Sequence, residues 1–277
     1  MLLHPSNFSP GSEAAFAHAL KLALEARLEL KLLHVEKDGI ELDWSQFPGV
    51  RDTCERWGVI PRGSTEEELS KAGLKIEKVI SVHKDPVVSI RHYLNKHDID
   101  LIILATHQRQ GISRWLEKSV AEPAVRETLT PTLFVPERGR RFVDPESGKV
   151  RLRHILVPVD TYPHPQPALD AAAIIVRFLD CRDVAVKAIH VGDAKNLPSI
   201  RISLPEEADR WRLETLAVPG DVVDRVVGTA GEWLADLIVM STAGHHGFLD
   251  ALRGSTTERI LRRAPCPVLA IPHEGAL

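Results

Sequence analysis

Cysteine is scarce in this chain. Cys54, Cys181 and Cys266 are the three among 277 residues, far apart and without CxxC spacing. That excludes a disulfide framework and a cysteine zinc site, and it fits a reducing cytoplasm. Long apolar runs are missing too: nothing approaches the ~18 residues a membrane helix needs, so no membrane partner is expected. The opening residues MLLHPSNFSP have neither a basic region nor a long apolar one, and no signal peptide is expected from them. Charge of neither sign dominates. A net charge of −3 gives no reason to expect nucleic acid as a partner. Familiar catalytic signatures are absent: there is no Gly-x-Ser-x-Gly, no His-Glu-x-x-His and no Walker lysine–serine pair. No nucleophile–base pair emerges. These gaps point away from a metabolic enzyme and toward a cytoplasmic binding protein.

What is present is a repeat. Asp100-Leu101-Ile102-Ile103-Leu104-Ala105-Thr106 matches Asp236-Leu237-Ile238-Val239-Met240-Ser241-Thr242, and at the same offset Ser119-Val120-Ala121-Glu122 matches Ser255-Thr256-Thr257-Glu258. Upstream, Leu32 to Val35 resembles Ala188 to Val191, and Pro5-Ser6-Asn7 resembles Pro158-Val159-Asp160. The chain is a tandem duplication: a domain at 1–138, a linker at 139–150 and a second domain at 151–277. The linker holds Gly139, Pro145 and Gly148, with six arginines or lysines between Arg138 and Arg153, and reads as a solvated tether.

Both copies alternate strand and helix. In the first, strands are expected at Leu2–Pro5, Leu28–Val35, Ile76–Val82, Leu101–Thr106 and Thr132–Val135. Helices are expected from Glu13 to Arg27 after a Ser9-Pro10 cap, near Val50–Trp57 and Thr65–Ala72, after Asp85-Pro86, and over Ser119–Leu129. In the second, strands fall at Ile155–Val159, Val184–Val191, Arg212–Val218, Asp236–Met240 and before Pro272. Helices follow Pro167 and Asp221. Pro198 and Pro205 interrupt the connection after Val191, so a helix is reduced or missing there. Strands apolar on both faces argue for α/β domains, each a parallel sheet covered by helices on both sides. Right-handed crossovers make such a sheet doubly wound and Rossmann-like. Ligands of these sheets sit beyond the carboxyl ends of the strands, where strand order reverses.

In the second copy those ends are Asp160 and Ser241. From Met240 the sequence reads as strand, small-residue loop and helix. Gly244 and Gly254 bracket nine loop residues, and Ser255-Thr256 follow at once. Backbone N–H groups and a helix N-terminus together suit a phosphate. Ser255-x-x-Glu258 is also a capping box that stabilises a helix start without any ligand. The first copy keeps the box at Ser119-x-x-Glu122 but carries Gln108 and Lys118 in place of the glycines. The ligand argument therefore rests on the two glycines more than on the serine.

Ser241-x2-Gly244-x9-Gly254-Ser255, the tail Thr257 to Leu269, Pro158-Val159-Asp160 and the duplication together resemble the universal stress protein (UspA-like) family in its tandem two-domain form. Ser241 stands where the family's motif has its first glycine. The resemblance implies two Rossmann-like (adenine nucleotide alpha hydrolase-like) domains with five-stranded parallel sheets. It implies ATP or AMP binding, with Mg²⁺ bridging phosphates, and a role in the stress response. It carries over a nucleotide site made of Pro158, Val159, Asp160, Val191, Met240, Ser241, Thr242, Gly244, His245, Gly254, Ser255 and Thr256. Asp160 would contact the adenosine, Val191 would line the adenine pocket, and His245 would bond phosphate rather than join a metal site. Fifth strands that meet within the chain would make an internal pseudo-dimer, and a homodimer or an unidentified protein partner is also compatible. Ala105, Gln108 and Lys118 would crowd a triphosphate, so the first copy is expected to be degenerate, its pocket filled or adapted to another ligand. The competing readings are a nucleotide-independent interaction module and a slow ATPase.

Overall fold

Ten strands share one sheet in the computed structural model, which describes residues 1–36, 46–71, 73–106, 129–201, 211–244 and 256–274. The first half contains β1 (Leu2–Pro5), α1 (Glu13–Ala26), β2 (Leu30–Glu36), α2 (Val50–Arg56), α3 (Glu66–Lys71), β3 (Ile76–Val82), α4 (Pro86–Lys96), β4 (Leu101–Thr106) and β5 (Thr132–Pro136). The second contains β6 (His154–Pro158), α5 (Gln166–Phe178), β7 (Val184–Val191), β8 (Trp211–Val218), α6 (Val222–Glu232), β9 (Leu237–Gly244), α7 (Thr256–Arg263) and β10 (Val268–Glu274). The strand order is β3-β2-β1-β4-β5-β10-β9-β6-β7-β8. Pairs within each half are parallel. The two fifth strands meet antiparallel, with Leu269 opposite Leu133, so the halves are joined strand to strand within the chain.

Alternation along each strand divides the core in two. Leu30, Leu32, Ile103, Ile155, Val157 and Val239 face α1 and α5. Leu3, Leu33, Ile102, Leu156 and Ile238 face α4, α6 and α7. This is the doubly wound, Rossmann-like arrangement with helices on both faces. Two helix starts follow the expected chemistry. Asp85 accepts hydrogen bonds from the Val87 and Val88 amides, and Asp221 accepts one from the Asp224 amide. Ser9 does not cap α1. A 3-10 turn, Pro10–Ser12, intervenes, and the Ser12 hydroxyl donates to the Ser9 carbonyl at 2.7 Å. In the interrupted connection after β7, the described residues form a 3-10 turn at Ala194–Asn196. The helix expected over Ser119–Leu129 lies outside the described residues, apart from its last one.

The linker departs from expectation. It is a packed strap rather than a solvated tether. Phe142 and Val143 are fully buried in the core layer under α1 and α5. The Val143 amide donates to His18 Nε2 at 3.3 Å, so the ring is neutral and its Nδ1–H donates to the Ala14 carbonyl at 2.6 Å. Phe142 meets the same ring edge-on, 4.3 Å between centroids. Arg140 donates to the Ala230 and Ala235 carbonyls at 2.7 and 2.9 Å, tying the strap to the end of α6. Trp57 donates to the Pro145 carbonyl at 2.9 Å. Two apolar residues among six basic ones anchor the segment, because buried aromatic surface outweighs average composition.

Candidate functional site

In each half the central strands pair for two residues and then part. β6 and β9 pair at Ile155–Leu237 and Leu156–Ile238. Beyond that, β6 follows β7 to Pro158 and β9 follows β10 to Gly244. β1 and β4 likewise pair at Leu2–Leu101 and Leu3–Ile102 before separating. A crevice opens where strand order reverses, the position such sheets use for ligands.

The second crevice gathers most of the expected residues that are described. Pro158 ends β6. Val159 is buried, and its amide donates to the Ile189 carbonyl at 2.9 Å. Asp160 is exposed, and its carboxylate accepts from the Thr161 amide at 2.7 Å. Val191 ends β7, half-buried. Met240, Ser241 and Thr242 are buried in β9. The Thr242 hydroxyl reaches the Ile271 carbonyl at 3.4 Å. The Ser241 hydroxyl is buried with no protein partner.

His190, which the sequence offers as a satisfied core histidine like His34, is satisfied at one ring nitrogen only. Its Nδ1–H donates to the Val159 carbonyl at 3.1 Å, as expected of a core histidine. Its Nε2 is buried without a protein partner. Gly192 makes room for that edge of the ring: a Cβ at Gly192 would lie 2.8 Å from Nε2. Alternation puts His190 and Ser241 on the face of the sheet that carries Ala188 and Val239, under α5. Two unpartnered buried polar atoms on one face of one crevice call for an external partner, since such groups are nearly always satisfied. The available signal was the match of His190 to His34, whose Nδ1–H donates to the Ser6 carbonyl at 2.8 Å.

One expectation is corrected in detail. Ser241 to Gly244 belong to the strand, not to a loop. β10 continues through Pro272 to Glu274 and supplies ladder partners, pairing Ile271 with Ser241 and Glu274 with Gly244. The strand therefore runs on to Gly244. His245, Gly254 and Ser255 lie outside the described residues. Thr256 is the exposed first residue of α7, and buried Glu258 receives Arg262 one turn on.

The first crevice is filled from within. Phe8 stacks on His34 with centroids 3.9 Å apart and meets Phe47 edge-on at 4.8 Å. Phe47 is buried, and Lys78 lies over its ring. Ala105 and Thr106 end β4, while Gln108 and Lys118 lie outside the described residues.

Among the described residues no three His, Cys, Asp or Glu side chains are grouped to hold a metal. Burial pushes the thiols of Cys54 and Cys181 up to about 11 and that of Cys266 to about 12, so none is a thiolate near neutrality. No described helix is long and apolar enough to cross a membrane.

The Universal stress protein family model matches residues 2–136 and 212–272. A universal stress protein of Methanocaldococcus jannaschii is 28% identical over 144 residues, covering 45% of this chain and 85% of that protein. A universal stress protein A homolog of Coxiella burnetii is 31% identical over 141 residues, covering 43% of this chain and 95% of its own length. Relatives that match nearly whole against about half of this chain accord with a domain present twice. The crystal structure of a universal stress protein from Archaeoglobus fulgidus spans 99% of this chain and 96% of its own, at 20% identity and a TM-score of 0.65, so the fold is shared across both halves.

Proposed function

The chain belongs to the universal stress protein family, and from that premise we propose that its C-terminal half is an adenine-nucleotide sensor, taking ATP or AMP in the crevice between β6 and β9. The observation that carries this reading is the pair of unpartnered buried atoms, Ser241 Oγ and His190 Nε2, where β6 and β9 part. Asp160, exposed at the lip, is free to accept hydrogen bonds from a ribose or a base. Met240, Val159 and Val191 supply apolar wall. The 245–255 segment, with Gly254 and Ser255, follows β9 directly and leads into α7, where backbone amides suit phosphate oxygens. A Mg²⁺ ion would neutralise phosphate charge and would be held mainly by phosphate oxygens. The first half, its crevice closed by Phe8, His34 and Phe47, is a degenerate partner. Nucleotide binding would change a surface that a protein partner reads. The protein acts as a regulator of the stress response in the cytoplasm, not as an enzyme.

Mass spectrometry of the purified protein after denaturation is expected to release AMP or ATP. Calorimetric titration with ATP should show binding by the natural protein and none by Gly254→Lys, which copies Lys118 of the first half. Equal binding by both proteins would sink the site assignment. Phosphate release should stay below about one per minute, far under the ~1–1000 per second of typical enzymes.

A further inference from the structure

A second cavity, of about 290 Å³, lies in the N-terminal half between α1 and α2. It is separate from the crevice proposed for nucleotide, and the inference below does not rest on that reading. Its apolar walls include Phe8, Phe16, Pro48 and Pro145, the last contributed by the strap. Its polar groups include Ser9, Glu13 and Asp52. The Ser9 hydroxyl is buried and has no protein partner, so one polar atom of the wall awaits a hydrogen bond.

The charge of this wall has a sign. Glu13 stands in the first turn of α1 and Asp52 in the first turn of α2. Each carboxylate offsets the partial positive charge of its own helix start, and each repels an approaching anion. Among the described residues of the wall, the guanidinium is that of Arg56, and it is already engaged. It donates to the Pro145 carbonyl at 3.2 Å and faces Glu146 at 3.8 Å. In the second half, α5, which takes the place of α1, has no acidic residue in its first turn. The two halves have therefore diverged in charge preference as well as in filling.

We propose that this cavity is a ligand site for a small organic monocation: a protonated amine carried on an apolar, aromatic-sized body. The carboxylates of Glu13 and Asp52 attract the ammonium, the apolar wall of Phe8, Phe16, Pro48 and Pro145 contacts the body, and the Ser9 hydroxyl accepts or donates one hydrogen bond. A cavity of this size lies at the small end of ligand pockets and suits about ten to fifteen non-hydrogen atoms. Phosphate esters are excluded by the two carboxylates.

The test uses the full-length protein and two probes of one ring system and opposite charge, tryptamine and indole-3-acetate, titrated by calorimetry and by ligand-observed nuclear magnetic resonance. Tryptamine is expected to bind, and indole-3-acetate to bind at least about tenfold more weakly. The double variant Glu13→Gln/Asp52→Asn should lose about tenfold or more in tryptamine affinity and bring the two probes within about threefold of each other. Asp52→Asn alone, the milder change, should show the same trend at part of the size, and thermal melting confirms that each variant is folded. The proposal is overturned if tryptamine fails to bind at about 5 mM, if indole-3-acetate binds as tightly, or if folded Glu13→Gln/Asp52→Asn keeps the original discrimination.

Discussion

Where β1 parts from β4, the space is taken by Phe8 lying on His34, with Phe47 against its edge. Where β6 parts from β9, the position of Phe8 is held by Thr161, and His190 and Ser241 each keep a polar atom buried and unpartnered. The scaffold beneath is the same. A histidine near the end of the second strand donates to a carbonyl just beyond the first, His34 to Ser6 and His190 to Val159. Duplication preserved the hydrogen bond that closes the sheet end and released the adjacent positions to diverge. One copy closes its crevice with its own aromatic rings. The other holds the unpartnered Ser241 Oγ and His190 Nε2 there.

That contrast can be broken in several ways. The largest effect should come from acid. His4 and His18, both in the first half, are buried and neutral, and desolvation lowers each to about 4 from an ordinary 6.5. A folded value below the unfolded one means full stability above about pH 6.5, declining as pH falls toward 4, at up to about 3 kcal/mol for each ring. Urea titrations at pH 7 and pH 4.5 should show this loss, and hydrogen exchange should show the first half opening before the second. His18→Gln should make the decline shallower. Phe8→Ala should come next, costing about 3 kcal/mol by emptying the first crevice, without creating ATP binding that calorimetry can detect. Ser241→Leu gives the reverse test. It should fill the second crevice and weaken ATP binding about a hundredfold, or ~2.7 kcal/mol, while the melting temperature holds or rises because a buried orphan hydroxyl is gone. The smallest effect concerns what the halves share. Asp85→Ala should cost about 1 kcal/mol by removing the cap of α4, and Asp221→Ala should lower stability in the same direction at α6, as thermal melts will show.

Much of the fold was legible because strand and cap signals are local. Apolar runs such as Leu101 to Thr106 and Val184 to Val191 coincide with strands, and the Asp85 and Asp221 caps act as their positions suggest. Less legible were features that depend on residues distant in the chain. Nothing local marks Ser241-Thr242-Ala243-Gly244 as strand, since small residues carry weak strand preference; the ladder exists because β10 runs on to Glu274. The strap was hidden by its charge, because Phe142 and Val143 find burial only against α1 and α5. The placement of Asp160, Ser241 and Thr242 at the strand ends beside the candidate crevice was readable from the repeat and the motif. The unpartnered Nε2 of His190 was not, because its surroundings depend on Gly192 and on the strand beside it.

The antiparallel seam between β5 and β10 has a consequence for stoichiometry. Two separate chains that pair through a strand edge come apart on dilution and can pair like with like. Here the partners are covalently linked, so their effective concentration is set by the connecting segment and not by the amount of protein. Every molecule carries both unlike crevices at any concentration. The outer strands of the sheet are then β3 and β8, both edges that arise from unlike halves. The sheet is asymmetric from the moment the chain folds.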